Sequence, residues 1–304
     1  MKPHLRLLNA GLRRFERPHL LNASPEKLRA SFEFKARWLF PVPRGTRRTR
    51  IDLAGIDALR IEGPWVDDSD SVLLYFHGGG YVFGSPNTHA ALVARLARAA
   101  GVAAVLPWYR LAPEHPFPAA CDDVMLAWHG LVSSGVPAER IVLGGDSAGG
   151  GLALSLLGTL IARGEPRPRG LFAFSPLTDM GFTGGSIIEN ADRDPVMPAD
   201  RIGELQIFYL SGQDPQDPRA SPLHASFEGA SPVWLCVGDT EILRDDTLRI
   251  AERMRVQGVD VTLETGRDLP HVWPLFGPLL PEANATIRRL AEWIRRLRAP
   301  QGGS

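Results

Sequence analysis

The sequence has little cysteine, no long hydrophobic run and no net charge. Two cysteines, Cys121 and Cys236, stand among 304 residues, which is too few for a disulfide framework. No stretch reaches the roughly 18 consecutive apolar residues that a membrane span needs. Residues 1–21 interrupt every apolar run with Arg, Asn or Pro, so no signal peptide is predicted. These absences favour a cytoplasmic protein without stable membrane insertion.

The charges balance over the whole chain but not along it. The chain carries 34 Lys and Arg against 34 Asp and Glu, so no nucleic-acid partner is predicted. Residues 1–50, in contrast, contain 13 Arg or Lys against 3 Glu. We favour a solvated face of amphipathic helices as the explanation, and the alternative is a patch for a membrane surface or another anionic partner.

From residue 51 onward, short apolar runs alternate with helical patterns. The predicted strands lie at residues 51–61, 72–76, 102–106, 141–143, 171–174, 233–237 and 261–263. The predicted helices lie between or after them, at residues 89–100, 119–133, 148–163, 245–257 and 282–297. This alternation predicts an α/β fold with a mainly parallel sheet covered by helices on both faces. In such a sheet the active site lies at the carboxyl ends of the strands.

Two segments fall outside this alternation. Residues 1–50 precede the sheet, and residues 177–231 separate two strands and include a helical pattern at 199–210. We interpret residues 1–50 and about 177–213 as a small helical cap over a catalytic domain at 51–304. Surface loops without a role at the site are the alternative.

A nucleophile motif lies between a predicted strand and a predicted helix. Gly145-Asp146-Ser147-Ala148-Gly149 matches the G-x-S-x-G pattern. Such a serine stands on a sharp, strained turn, where side chains two residues before and after it would collide with the strand and helix. The pattern predicts a nucleophilic serine, with the amide of the next residue as an oxyanion donor. A glycine-rich turn with an incidental serine is the alternative.

A second glycine-rich loop, His77-Gly78-Gly79-Gly80, follows the strand at 72–76. Backbone without side chains allows bare amides to approach a substrate carbonyl, as an oxyanion hole requires. A phosphate loop is disfavoured because no G-K-[ST] follows, and a dinucleotide site because G-x-G-x-x-G is incomplete. We therefore predict an oxyanion loop and neither a cofactor nor a metal, with His77 as a structural residue.

The general base and its orienting acid are expected after later strands. His271 follows the strand at 261–263 across a short loop and is the best candidate for the base. Asp239 and Glu241 follow the strand at 233–237, Asp245 lies slightly further along, and spacing alone does not separate the three. With any of them the order is serine, acid, histidine, which is the order of α/β-hydrolases.

Together these motifs resemble the hormone-sensitive-lipase-like family of bacterial esterases and lipases. The likeness covers about residues 70–280 and is carried by HGGG at 77–80, YRLAPEHPFPAACDD at 109–123, GDSAGG at 145–150, GDTEILRDD at 238–246 and HVWPLF at 271–276. The resemblance implies the α/β-hydrolase fold, Ser147 as nucleophile and His271 as base. It implies Gly79 and Gly80 with Ala148 as the oxyanion hole.

The resemblance also assigns the acid and a substrate class. Glu241 occupies the first place of the family's D/E-x-L-x-D-D/E pattern, although many members have Asp-Pro where this chain has Glu-Ile. The implied partner is a small-molecule ester with a short to medium acyl chain. A homodimer through the last strand is a family-level expectation.

The pocket and the exact activity leave alternatives open. The candidate pocket residues are Tyr81, Phe83, Phe208 and Tyr209, with simple core positions as the alternative. A lactone or amide hydrolase with the same triad is the second functional candidate. The third is a non-catalytic binding protein of the same fold, as in some plant hormone receptors, which typically lose a triad member.

Overall fold

A computed structural model of the protein describes residues 2–66, 71–277 and 279–298. Its sheet has eight strands: β1 Arg47–Leu53, β2 Ile56–Glu62, β3 Val72–Phe76, β4 Ala103–Pro107, β5 Ile141–Asp146, β6 Gly170–Phe174, β7 Val233–Gly238 and β8 Val261–Gly266. They are ordered β1-β2-β4-β3-β5-β6-β7-β8. β2 runs antiparallel to β1 and β4, and the other neighbouring pairs are parallel. The predicted mainly parallel sheet is confirmed.

The described helices cover both faces of this sheet. They are α1 Pro3–Gly11, α2 Arg17–Asn22, α3 Pro25–Leu39, α4 Pro86–Ala100, α5 Ala119–Ser133, α6 Ala148–Ala162, α7 Ser186–Glu189, α8 Ile202–Leu210, α9 Arg244–Val256 and α10 Pro281–Arg298. One core packs α5, α6 and α9 against the sheet, and the other packs α4 and α10 against the opposite face. β3, β5, β6 and β7 are buried along their whole length, which explains their continuous apolar sequences.

Residues 47–62 form a hairpin, and the prediction of one edge strand at residues 51–61 was wrong. β1 pairs with β2 in antiparallel register, with Leu53 opposite Ile56. The turn residues Ala54 and Gly55 have φ of 54° and 91°, the left-handed backbone that a two-residue hairpin turn requires. Because the turn takes only two residues, the apolar positions of both strands read as one alternating run.

The N-terminal helices are fastened to the α/β core and to each other. Arg29 on α3 donates hydrogen bonds to Val82 O at 2.8 Å and to Ala112 O at 2.9 Å, and it pairs with Glu114. A π-helical turn at Leu12–Glu16 joins α1 to α2. Within the described part of the chain, no helix is long and apolar enough to cross a membrane.

Candidate active site

Ser147 lies in the sharp turn between β5 and α6. Its backbone has φ 52° and ψ −122°, a strained conformation for a residue with a side chain. A Cβ on Gly145 would lie 2.2 Å from Gly149 O, and a Cβ on Gly149 would lie 2.1 Å from Phe76 O. Both positions therefore require glycine. The turn is held by the Ser147 N–H, which donates to Phe174 O at 2.8 Å.

The amides at the start of α6 lie next to this serine. Ala148 is the first residue of the helix, and the amides of a first helical turn have no partner within the helix. The positive end of the helix dipole is therefore beside the serine side chain. This arrangement favours a negative charge developing near Ser147.

His271 and Glu241 form a buried pair after β8 and β7. His271 Nδ1 lies 2.6 Å from Glu241 Oε2. Glu241 is fully buried, and its Oε1 accepts hydrogen bonds from Ser175 Oγ at 2.8 Å and from Gly238 N at 2.6 Å. The carboxylate is thus fixed on one side and presents its other oxygen to the imidazole.

The pKa of His271 reflects this partner. Burial by itself lowers the pKa of an imidazole, because it disfavours the charged form. The negative charge of Glu241, the hydrogen bond to it and the charges of Asp194 and Asp146 together outweigh burial, so the pKa of His271 is raised above the usual 6.5. A protonated His271 is therefore stabilised next to Glu241.

The other two candidate carboxylates have different partners. Asp239 Oδ1 accepts a hydrogen bond of 2.7 Å from Asp268 N, in the loop that leads to His271. Asp245 Oδ2 accepts one of 2.9 Å from Ser186 N, and Asp245 pairs with Arg244. Of the three carboxylates that spacing left open, the structure brings Glu241 into contact with the imidazole.

The glycine loop after β3 is held close to the nucleophile turn. Gly79 has φ 120° and Gly80 has φ 59°, and a Cβ on Gly79 would lie 2.1 Å from Phe83 O. The loop therefore needs glycine for its backbone conformation and for close packing. His77 is buried beside a second histidine, and burial first and then the charge of His89 lower its pKa to about 3. His77 is therefore neutral, and its Nδ1 lies 2.9 Å from Gly78 O.

Asp146, the residue before Ser147, joins the two turns. Its Oδ1 accepts hydrogen bonds from Gly78 N at 3.0 Å and from Tyr75 Oη at 2.7 Å. Its Oδ2 lies 3.2 Å from His89 Nε2. Burial tends to raise the pKa of Asp146, but His89 and the Tyr75 hydrogen bond hold it below the usual value. A charged carboxylate thus fastens the glycine loop to the nucleophile turn.

Three buried polar residues around Glu241 were missed from sequence. Ser175 Oγ bonds the carboxylate, and Asn190 Nδ2 donates to Glu241 O at 2.8 Å. Asp194 Oδ2 accepts from Ile242 N at 2.9 Å. Ser175 directly follows the apolar run of β6, so its strand-end position was a usable signal. Asn190 and Asp194 belong to the irregular segment after β6, where no sequence pattern marks them.

One cavity joins these elements. It has a volume of about 560 Å³, and Ser147, His271 and residues 78–80 lie in its wall. The rest of the wall is mainly apolar, and much of it comes from α1–α3, from residues 196–208 and from Leu275, Phe276 and Leu279.

The four candidate pocket aromatics divide into two pairs. Phe83 and Phe208 lie in the cavity wall. Tyr81 and Tyr209 do not: both are buried, and their rings stack face to face with centroids 3.7 Å apart. Tyr81 and Tyr209 therefore occupy core positions, which was the alternative to a place in the pocket.

The two cysteines are buried structural residues, and the described residues contain no metal-binding cluster. Cys121 and Cys236 are both buried, and burial raises the pKa of the Cys121 thiol to about 11. Among residues 2–66, 71–277 and 279–298, no cluster of three or more His, Cys, Asp or Glu is arranged to hold a metal ion.

Comparison with known proteins agrees with this geometry. A family model described as alpha/beta hydrolase fold matches residues 73–275. The chain is 37% identical over 223 residues to an acetyl-hydrolase from Streptomyces hygroscopicus, covering 73% of this chain and 75% of that protein. It is 32% identical over 292 residues to an esterase from Acinetobacter venetianus, covering 96% of this chain and 94% of that protein.

A solved structure extends the likeness over nearly the full length. The crystal structure of an esterase from the bacterial hormone-sensitive lipase family matches with a TM-score of 0.92 and 38% identity, covering 98% of this chain and 99% of that one. The chain therefore belongs to the α/β-hydrolase family, and within it to the esterases that resemble hormone-sensitive lipase.

Proposed function

We propose that the protein is a serine carboxylesterase in which Ser147 carries the acyl group, His271 is the general base and Glu241 orients the histidine. The observation that carries the proposal is that His271, hydrogen-bonded at 2.6 Å to Glu241, lines the same cavity as Ser147. The strained turn at Ser147 and the helix N-terminus behind it add support. The esterases and the acetyl-hydrolase among the relatives favour ester substrates.

The acylation half begins with a proton transfer. Neutral His271 takes the proton of the Ser147 hydroxyl while Oγ attacks the ester carbonyl carbon. The carbonyl oxygen becomes an oxyanion, which the amides of Gly79, Gly80 and Ala148 stabilise. Each such donor contributes about 2.7–4 kcal/mol to the transition state. His271 then protonates the departing alkoxide, which leaves as an alcohol.

The deacylation half repeats the sequence with water. His271 removes a proton from a water molecule, whose oxygen attacks the acyl-enzyme carbonyl. The bond to Ser147 Oγ breaks, and His271 returns the proton to the serine. Glu241 stabilises the imidazolium in both halves, and it is fixed for this task by Ser175 and Gly238.

We further propose short to medium acyl groups as substrates, held under a cap of α1–α3 and about residues 177–213. A cavity of about 560 Å³ with a mainly apolar wall is suited to such a group. Leu205 on α8 crowds the glycine loop, since a Cβ on Gly80 would lie 3.2 Å from its Cδ1.

We also propose that the protein forms a homodimer through β8. This strand is at the edge of the sheet and pairs on one side with β7, so its other side is open to a second copy.

Covalent labelling tests the central proposal. An organophosphonate fluorophore should label the wild-type chain at one mole per mole and leave Ser147→Ala unlabelled, because labelling needs an activated serine. A burst of p-nitrophenol from p-nitrophenyl butyrate should also disappear in Ser147→Ala. Unchanged turnover in that variant would refute the role of Ser147.

A substrate panel then separates esters from the alternatives. Esters, a lactone and an anilide of matched acyl length are compared by kcat/KM. The proposal expects the esters to be the best substrates. A chain that neither takes up the organophosphonate nor turns over any of the panel would support the non-catalytic binding protein instead, because labelling requires an activated serine.

A further inference from the structure

The mouth of the cavity is apolar. Leu7, Leu39 and Leu279 line the cavity, yet they are 78%, 55% and 58% exposed. A side chain that belongs to the wall and is also more than half exposed lies where the cavity meets solvent. The cavity therefore opens between α1, the end of α3 and the segment before α10.

Exposed aromatic side chains extend this apolar surface. Phe34 and Trp38 on α3 are 67% and 68% exposed, and their ring centroids are 6.4 Å apart. Trp38 immediately precedes Leu39 at the mouth. Phe15 on the π-helical turn is also exposed, and the ion pair of Lys35 with Glu16 holds that turn against α3. Large exposed apolar side chains as close together as Phe34, Trp38 and Leu39 mark an interaction site.

Cationic side chains flank these aromatics. The guanidinium of Arg14 lies 5.6 Å from the Phe15 ring centroid, and that of Arg37 lies 5.9 Å from the Trp38 centroid. Neither arginine forms an ion pair with any carboxylate of the described residues. The same holds for six more cations of the N-terminal fifty residues: Arg6, Arg13, Arg17, Lys27, Arg44 and Arg48. Folding thus leaves much of the positive excess of this segment uncompensated.

We propose that this surface docks on an anionic lipid surface, with the mouth of the cavity facing the lipid. We call it the N-terminal patch: Leu7, Phe15, Phe34, Trp38, Leu39 and Leu279 with Arg14 and Arg37. Helices that lie in a membrane interface combine exposed Trp, Phe and Leu with Arg or Lys in the same way. The cations select anionic headgroups, and the aromatic rings sit at headgroup depth.

A lipid surface fits better than a protein partner because the patch includes the mouth of the cavity: Leu7, Leu39 and Leu279 belong to both. The opening leads through an apolar wall to Ser147, so an ester held in the lipid has a path to the nucleophile without crossing water. This last step rests on the proposed esterase function, whereas docking does not. From sequence, the positive charge excess of residues 1–50 was interpreted as a solvated face, with a membrane-binding patch as the alternative. The proposed docking adopts that alternative.

Vesicle sedimentation tests the docking. The Ser147→Ala chain is spun with phosphatidylcholine vesicles, with or without phosphatidylglycerol. We expect binding to the anionic vesicles that weakens with salt. The double variant Phe34→Ser/Trp38→Ser should lose binding at least several-fold, and Arg14→Glu/Arg37→Glu should lose the preference for phosphatidylglycerol.

Matched controls remove one exposed apolar or cationic side chain elsewhere. Val256→Ser on α9 and Arg296→Glu on α10 change exposed residues outside the cavity wall, and both should bind vesicles like the parent. Absence of binding, or equal losses in patch and control variants, would overturn the proposal. A doubled mass in equilibrium sedimentation, abolished by the patch variants while vesicles stay unbound, would instead assign the patch to a second copy of this chain.

Turnover distinguishes this inference from the proposed function. In the catalytically intact chain, Phe34→Ser/Trp38→Ser should keep kcat/KM for p-nitrophenyl acetate in solution. The same variant should hydrolyse a p-nitrophenyl ester embedded in phosphatidylglycerol vesicles several-fold more slowly than the parent chain. Vesicle binding without turnover of either ester would refute the esterase and keep the docking. Turnover in solution without vesicle binding would refute the docking and keep the esterase.

Discussion

Ser175 Oγ donates a 2.8 Å hydrogen bond to Glu241 Oε1, on the carboxylate whose other oxygen lies 2.6 Å from His271 Nδ1. The same hydroxyl oxygen accepts a hydrogen bond of 3.3 Å from Val272 N, next to the histidine. One serine after β6 therefore ties the loop after β7 to the loop after β8. The orientation of the imidazole depends on three strand ends at once.

Glu241→Gln should reduce kcat on p-nitrophenyl butyrate by roughly 10³–10⁴-fold, as loss of a triad carboxylate does elsewhere. The amide keeps the shape but removes the charge that stabilises the imidazolium. Asp239→Asn is the matched control and should cost less than about tenfold, since Asp239 accepts a bond from a loop amide. A larger loss in Asp239→Asn than in Glu241→Gln would reject Glu241 as the acid.

Ser175→Ala should lower kcat by about tenfold, because a buried hydrogen bond to a charged group contributes roughly 1.5–3 kcal/mol. Without this bond Glu241 is less well oriented toward His271, which lowers kcat. KM should change little because Ser175 bonds the carboxylate and not the substrate. Ser221→Ala removes an equally buried hydroxyl, bonded to Met180 N and Pro215 O away from the cavity wall. It should reduce the melting temperature without the fall in kcat, and equal kcat losses in both variants would contradict a role for Ser175 at the site.

The pH profile of kcat/KM should rise through the pKa of His271, because only the neutral imidazole accepts the serine proton. Glu241, together with Asp194 and Asp146, holds that pKa above 6.5, so the midpoint should lie above 6.5. Glu241→Gln removes the charge while burial remains, and burial lowers an imidazole pKa. In this variant the midpoint should move to lower pH.

The control for the pH profile is Asp246, a second buried group that titrates near neutral pH. Burial raises the pKa of Asp246 to about 7, but Asp246 is outside the cavity wall. Asp246→Asn should therefore leave the midpoint unchanged. A flat profile from about pH 5 to 8, or a midpoint that follows Asp246 and not Glu241, would remove His271 from the role of base.

Gly79→Ala should lower kcat by roughly 10²–10³-fold, the usual cost of losing one oxyanion donor. The new Cβ would lie 2.1 Å from Phe83 O, so the loop and its amides must shift. Gly135→Ala is the control, since Gly135 also has a positive φ, 97°, but nothing lies near its Cβ position. It should lose some stability and keep kcat. Equal activity of Gly79→Ala and the wild type would exclude the loop as oxyanion hole.

The fold class could be predicted from the sequence because it depends on local constraints. Steric limits at Gly145 and Gly149 and the continuous burial of β3, β5, β6 and β7 are visible as residue types. The hairpin at 47–62 was missed because the positive φ of Ala54 has no signature in the side chain. Asn190 and Asp194 were missed because their roles arise from contacts with residues about fifty positions away.

The candidate pocket shows a second limit of local sequence. Aromatic spacing favoured Tyr81 and Phe83 alike, although only Phe83 of these two reaches the cavity wall. Which side of the backbone faces a cavity is decided by the elements that pack there. For Tyr81 that element is α8, which follows more than a hundred residues later.

The stacked rings of Tyr81 and Tyr209 couple α8 to the glycine loop at residues 78–80. Tyr81 directly follows Gly80, and Tyr209 lies near the end of α8, the helix that also contributes Leu205 and Phe208 to the cavity wall. A bulky acyl group that displaces α8 must either break this stack or move the loop amides with the helix. Recognition of the acyl group and stabilisation of the transition state are then thermodynamically linked. Acyl-chain selectivity in this enzyme should consequently appear in kcat more than in KM.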